Sequence, residues 1–152
     1  HTHRCASEVA RRHYTTEIAP PADVLILNPY PKEDQPMKGL WFAVRSVKAG
    51  GDMVIISHSE NGLSHNHYLF GRFGAEYGGP GWEPRRHFQM GDAGRIIFFT
   101  PYLSKYDMNN YTGDHILFVK SWEQVRKILE DGRSGPASVA LYPYGGIQMP
   151  ME

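Results

Sequence analysis

Residues 22–56 read ADVLILNPYPKEDQPMKGLWFAVRSVKAGGDMVII, and this stretch decides the fold class. It begins with an apolar run over 22–27 that is too short for a helix and is followed by prolines, which predicts a strand buried on both faces. Apolar residues then recur at helical spacing over 37–48, and the glycine pair at 50–51 is expected to end that helix. A second apolar run over 53–57 completes a strand–helix–strand unit, which requires parallel strands and a right-handed crossover.

The alternation of strands and helices continues through the rest of the chain. Apolar runs over 95–100, 115–119 and 138–142 predict three more strands. A capping-box sequence at 121–124 predicts the start of a helix, and Gly132 is expected to end it. The expected fold class is therefore α/β, a three-layer α/β/α sandwich with a mainly parallel sheet of about five strands.

Residues 1–152 are expected to form one domain, because the length suits a single core and no boundary divides the chain. The chain opens without a methionine and directly with a helical pattern, so we expect it to be a piece of a longer protein. Its least regular part is the glycine-rich segment 71–94, and a long loop of this kind is often functional in a compact domain.

Composition and charge narrow the classes of function. Hydrophobic residues make up 41% and charged residues 21%, as in ordinary globular proteins. The 16 Lys and Arg residues balance the 16 Asp and Glu residues, which argues against nucleic acid or an anionic membrane as partner. No apolar run approaches the roughly 20 residues of a spanning helix. Cys5 is the only cysteine, which favours a cytoplasmic protein, and we expect it to be buried or half-exposed and not a nucleophile.

Ligands of open parallel sheets bind beyond the carboxyl ends of the strands, and the first such segment here is 28–38. Gln35 and Lys38 are three residues apart, so they share one face if the helix begins nearby. Free N–H groups at the helix start, together with the charge of Lys38, would suit a carboxylate or a phosphate. The alternative interpretation is a solvated helix start that is capped by Asp34.

Two other segments follow predicted strands. His58, His65 and His67 lie within ten positions, a pattern that allows a zinc site, although the HExxH spacing is absent and loop histidines often hydrogen-bond locally. Lys105 follows the next strand and is either a cofactor contact or part of an ordinary polar loop. The chain has no GxSxG elbow, no P-loop and no complete dinucleotide fingerprint, which argues against serine hydrolases and nucleotide hydrolases on this fold.

The order of these short motifs resembles the C-terminal domain of the nickel-pincer lactate racemase family, whose members invert 2-hydroxy acids. The resemblance covers most of the chain, and the spacing from Gln35 through Lys38 to the double glycine fits the family well. The matching stretches are 22–26, Tyr30-Pro31-Lys32, Gln35-Pro36-Met37-Lys38-Gly39-Leu40, 47–51, Glu60-Asn61-Gly62, Ser121-Trp122-Glu123-Gln124 and 142–146.

The resemblance implies a role for the chain within a larger enzyme. This domain would close over a 2-hydroxy acid, with Gln35 and Lys38 in contact with the substrate carboxylate or with the cofactor's end of the cleft. Lys32 would be a further substrate- or cofactor-binding residue, and Trp82 an aromatic residue near the cleft. The nickel-pincer nucleotide would be bound mainly by an N-terminal domain, which would also carry the nickel ligand, the cofactor lysine and the catalytic histidines. No cofactor, metal or catalytic residue is then expected in this domain, which alone would be inactive. The implied reaction is transient hydride transfer from the substrate to the cofactor.

The chain also departs from the lactate enzymes in two places. The stretch between Lys32 and Gln35 is shorter, and residues 65–74 differ from the family pattern, so the substrate could be another 2-hydroxy acid that is longer or carries more oxygen atoms. Two other functions remain open. One is a non-catalytic module that binds a small carboxylate or a nucleotide, and the other is a zinc-dependent hydrolase that uses His58, His65 and His67.

Overall fold

The computed structural model describes residues 2–60, 86–87, 91–102, 111–112 and 115–151. The helices are α1 (Thr2–Tyr14), α2 (Met37–Ala43), a 3₁₀ turn (Val44–Ser46) and α3 (Trp122–Glu130). The strands are β1 (Thr15–Thr16), β2 (Ala22–Leu27), β3 (Val47–Ile56), β4 (Arg86–His87), β5 (Arg95–Phe99), β6 (Tyr111–Thr112), β7 (Ile116–Val119), β8 (Val139–Tyr142) and β9 (Met149–Pro150).

Five of these strands form a parallel sheet in the order β7-β5-β3-β2-β8. The centre of the sheet is in register across neighbouring strands, with Leu25 beside Met53 and Ile97 beside Val54. Two further parallel pairs, β1 with β9 and β4 with β6, are only two residues long. The predicted fold class is confirmed, and the strand over 22–27 has the bounds that its apolar run predicts.

The hydrophobic core lies on both faces of this sheet. Phe42 of α2 packs on one face with Leu25, Leu27 and Tyr142. On the other face, Val125 of α3 is buried with Val24, Val54, Ile97 and Val119. Alternate residues of β2 and β3 therefore enter opposite halves of the core, which explains why both strands are continuously apolar.

The structure corrects the helix that the sequence predicts over 37–48. Helix α2 ends at Ala43, a 3₁₀ turn follows, and Val47 already belongs to β3. The glycine pair lies inside β3, where Gly50 has a φ of 73° and the pairing with β2 shifts register. Helical spacing of valines does not distinguish a helix from an extended strand start, and the glycines form a bulge in place of a helix end.

The second predicted helix is confirmed, including its start. The Ser121 side chain accepts from the Gln124 amide at 3.3 Å, and the Gln124 side chain accepts from the Ser121 amide at 3.1 Å. Cys5, in contrast, was expected to be buried or half-exposed, and it is exposed on α1, a helix without any buried residue. Within the described residues, no helix is long and apolar enough to cross a membrane.

Candidate functional site

The strand order places a topological switch point between β2 and β8. From β2 the chain moves in one direction through β3, β5 and β7, and then returns to place β8 on the other side of β2. In open parallel sheets, ligands bind outside the carboxyl ends of the strands at such a point. The loops at 28–38 and 143–148, which follow β2 and β8, therefore form the candidate site.

The loop after β2 is a chain of three turns that share their corner residues. The amide of Lys32 donates to the Pro29 carbonyl at 2.8 Å, that of Gln35 to Lys32 at 2.8 Å, and that of Lys38 to Gln35 at 3.0 Å. The predicted residues Lys32, Gln35 and Lys38 are thus brought together as successive corners of one ordered loop. Both lysines are exposed, and Gln35 is half-buried.

Two contacts hold this loop against the sheet. The Ser57 hydroxyl, which is fully buried at the end of β3, donates to the Glu33 carbonyl. The amide of Gly145, from the loop after β8, donates to the Asn28 carbonyl at 2.8 Å. The loop is therefore tied to the strands on both sides of β2, and this fixes where its lysines emerge.

Gln35 has an unusual hydrogen-bond state. Its amide nitrogen lies 3.4 Å from a carboxylate oxygen of Asp34, while its side-chain oxygen is buried without a partner in the described part of the chain. Buried polar atoms are normally paired, because an unpaired acceptor costs free energy. The Gln35 oxygen would therefore gain from any donor that reaches it, such as a hydroxyl group of a ligand.

Two of the backbone donors at the helix start, which the sequence predicts to be free, are already engaged. Gln35 precedes α2, whose N-cap is Pro36 with no side-chain cap, so Asp34 is not the cap either. The amides of Lys38 and Gly39 donate within the turn, to Gln35 and Pro36. The positive character of this loop consequently comes from its lysine side chains.

Glycines let the two loops close over the switch point. A Cβ atom on Gly39 would lie 2.8 Å from the Gly145 carbonyl oxygen, and one on Gly146 would lie 2.2 Å from that of Pro29. Both distances are below a van der Waals contact, so only glycine permits this approach. The backbones of the two loops are therefore in direct contact, and the candidate site is the surface that these loops form.

An aromatic pair that the sequence analysis did not identify as part of the site lies on this surface. The rings of Tyr30 and Tyr144 are 6.1 Å apart at 63°, and they are 49% and 53% exposed. Both residues belong to stretches that carry the family resemblance, yet neither has a motif of its own. The signal available in the sequence is positional, since each tyrosine lies in a proline- or glycine-containing turn just after a strand.

The other predicted site residues are only partly described. His58 is exposed, and its ring lies 5.2 Å from that of Phe99. His65, His67, Trp82 and Lys105 lie outside the described residues. Across the described ranges, no group of three or more His, Cys, Asp and Glu residues could hold a metal ion.

A second charged cluster, also missed from sequence, lies at the opposite edge of the sheet. Asp52 is 2% exposed, and Arg95 donates to both of its carboxylate oxygens at 2.7 Å. Arg133 donates to the same carboxylate at 2.6 Å, and Lys48 pairs with Asp23 at 2.8 Å. These residues line a cavity of about 470 Å³. The sequence signal for this cluster is a charged residue directly before each of two apolar runs, Asp52 before 53–56 and Arg95 before 96–99.

The pKa shifts in this cluster follow from its contacts. Burial alone would raise the pKa of Asp52, but hydrogen bonds from Arg95 and Arg133 outweigh burial and hold that pKa below its ordinary value. The hydrogen bond between Arg95 and Asp52 in turn raises the pKa of Arg95. A hydrogen bond from Lys48 is the main cause of the strongly lowered pKa of Asp23. Asp52 and Asp23 therefore stay ionised at neutral pH, as expected of carboxylates in a stabilising network.

The chain is thus an open parallel α/β domain with a polar, aromatic surface at its switch point. No protein-family model matches it, and no curated protein is similar to it in sequence. Among solved structures, it is similar to the lactate racemase apoprotein from Thermoanaerobacterium thermosaccharolyticum, with a TM-score of 0.64 and 16% sequence identity. The match covers 99% of this chain and 40% of the racemase chain. The chain therefore has a lactate racemase-like fold and spans about two-fifths of that protein's length.

Proposed function

We propose that this chain is the substrate-closing, C-terminal domain of a racemase or epimerase that acts on a 2-hydroxy acid. The observation that carries the proposal is the chain of turns that presents Lys32, Gln35 and Lys38 at the switch point of a lactate racemase-like fold. Two lysine side chains on one ordered loop suit a carboxylate ligand. The oxygen of Gln35 has no partner among the described residues and, once a turn of the side chain exposes it, suits the hydroxyl group next to that carboxylate.

A surface of this kind works best when it closes against a second body. The lysines are exposed, and in water an exposed ion pair contributes at most about 1 kcal/mol. When closure removes water, the same charges act in a lower dielectric and hold the carboxylate more strongly. We therefore assign this chain the roles of binding the substrate, orienting it and excluding water.

The described residues do not fit a nickel site. Nickel prefers imidazole or thiolate ligands, whereas the switch-point surface offers lysines, an amide and phenols. A nickel-pincer nucleotide, which would supply hydride-transfer chemistry, is in this proposal held by the N-terminal domain of the longer chain. Cytoplasmic location and the absence of nucleic-acid or membrane partners stay predictions from composition.

The test uses the full-length protein from its native source. Metal analysis and intact-mass spectrometry would be combined with an assay of the interconversion of the two enantiomers of lactate and of larger 2-hydroxy acids. We expect nickel, an added nucleotide mass and inversion of at least one 2-hydroxy acid. Bound zinc without inversion of any of these acids would contradict the proposal and favour the hydrolase centred on His58, His65 and His67.

A further inference from the structure

The backbones of Tyr30 and Tyr144 are both hydrogen-bonded, although neither residue belongs to the buried core. The amide of Tyr30 donates to the side-chain oxygen of Asn28 at 3.1 Å. The amide of Tyr144 donates to the side chain of Gln148 at 3.3 Å, and its carbonyl accepts from the Ile147 amide at 3.0 Å. These bonds restrain the backbone at both tyrosines, and a restrained surface loses less entropy when a ligand binds.

The two rings leave apolar surface open to solvent. Each tyrosine is about half exposed, and the two rings meet edge to face with their centroids 6.1 Å apart; we call this exposed pair the tyrosine notch. One exposed aromatic residue is ordinary on a protein surface. Two rings from loops more than a hundred positions apart, meeting at the ligand-binding edge of the sheet, are not required by core packing.

Lys32 and Lys38 belong to backbone segments that lie against the loop of Tyr144. A Cβ atom on Gly146 would lie 3.2 Å from the β-carbon of Lys32, which places that lysine against the loop of Tyr144. Gly39, which follows Lys38, likewise lies close to Gly145, which follows Tyr144. An apolar corner next to cations suits a ligand that combines a carboxylate with an apolar group.

We propose that the tyrosine notch binds the substituent on C-2 of the substrate and selects aromatic or bulky apolar 2-hydroxy acids over lactate. The assignment of a 2-hydroxy acid rests on the proposed function, whereas the notch rests on the geometry of Tyr30 and Tyr144. A phenyl group can contact both rings in the offset or edge-to-face arrangement that aromatic pairs prefer. A methyl group is too small to contact both rings, and a chain of hydroxyl groups would lose hydration against them.

The first test measures kcat and KM for inversion of 3-phenyllactate and of lactate by the full-length enzyme. We expect Tyr144→Ala and Tyr30→Ala to raise KM for 3-phenyllactate about 10-fold, with lactate changed by less than about twofold. Tyr144→Phe keeps the ring and should restore the wild-type KM. Tyr14→Ala, which removes a tyrosine of similar exposure on α1, is the matched control and should change neither substrate.

The second test reads binding without turnover, by following the tyrosine ring signals in NMR spectra of the same protein. Titration with 3-phenyllactate should shift the signals of Tyr30 and Tyr144, and lactate and gluconate should do so more weakly. Equal losses on both substrates, or tighter binding of gluconate than of 3-phenyllactate, would overturn the notch. If no acid is inverted but 3-phenyllactate binding still depends on Tyr144, the proposed function fails and the notch stands.

Discussion

Arg133 and Asp52 are 81 positions apart in sequence and are joined by a hydrogen bond of 2.6 Å. The bond lies at the side of the sheet formed by the amino ends of the parallel strands, here called the amino edge. Arg95 contacts the same carboxylate through two further bonds, so one buried Asp52 is held by two arginines. This network connects β3, β5 and the segment after α3. The amino edge therefore stabilises the fold, while the carboxyl edge is left to present the exposed lysines and tyrosines.

Replacing Asp52 by Asn should destabilise the domain strongly. The substitution keeps the shape of the side chain but leaves two arginines without their counter-charge, and breaking a buried pair in this way costs about 3–5 kcal/mol. Urea denaturation would measure the loss. Asp92→Asn, at an exposed position near the same edge, is the control and should change the unfolding free energy by less than about 0.5 kcal/mol. A similar small change for both variants would show that the network is not stabilising.

Stability should fall in acid because of the same carboxylate. The pKa of Asp52 is lower in the folded state than its ordinary value, so the unfolded chain takes up a proton first as the pH falls. The contribution of Asp52 is therefore fully present above about pH 4 and is lost as the pH falls through the folded-state pKa. The difference in unfolding free energy between the wild type and Asp52→Asn should shrink between pH 5 and the acid limit. A difference that stays constant over that range would contradict the assigned shift.

Lys38→Ala should impair the full-length enzyme without changing the fold. Lys38 is exposed and its side chain is not needed for packing, but in the proposed closed state it faces the substrate carboxylate. Loss of such a charge contact should lower kcat/KM for the inverted 2-hydroxy acid by about 100-fold. Lys127→Ala, at an exposed position of α3, is the matched control. Wild-type turnover by Lys38→Ala would remove the loop after β2 from the site.

Gly146→Ala should disturb the switch-point loops. The added Cβ atom would lie 2.2 Å from the Pro29 carbonyl oxygen, so backbone must move, at a cost of about 1–3 kcal/mol. Because Pro29 is the first corner of the chain of turns, Lys32 should shift with it. Gly135→Ala is the control, since its Cβ atom would have no neighbour within 4 Å. Equal melting temperatures of the two variants would disprove the tight contact between the loops.

Local patterns were sufficient for much of the fold. The apolar run of Ala22–Leu27 predicts β2 with its observed bounds, and the pairing of Ser121 with Gln124 predicts the start of α3. Both signals come from residues that are close in sequence, so they do not depend on how the rest of the chain packs. The valines between α2 and β3 are the counterexample, because their spacing fits a helix and only pairing with β2 makes the segment a strand.

The sequence by itself determined the α/β class, the parallel central unit and the loop that contains Lys32, Gln35 and Lys38, because periodicity and strand ends are local properties. Tertiary structure alone decided which distant groups meet. Asp52 lies 43 positions from Arg95, and the loops that carry Tyr30 and Tyr144 become neighbours only because β8 pairs with β2. Such contacts depend on the order of the strands and on backbones that approach closely at glycines. Neither property produces a residue spacing that can be recognised in the sequence.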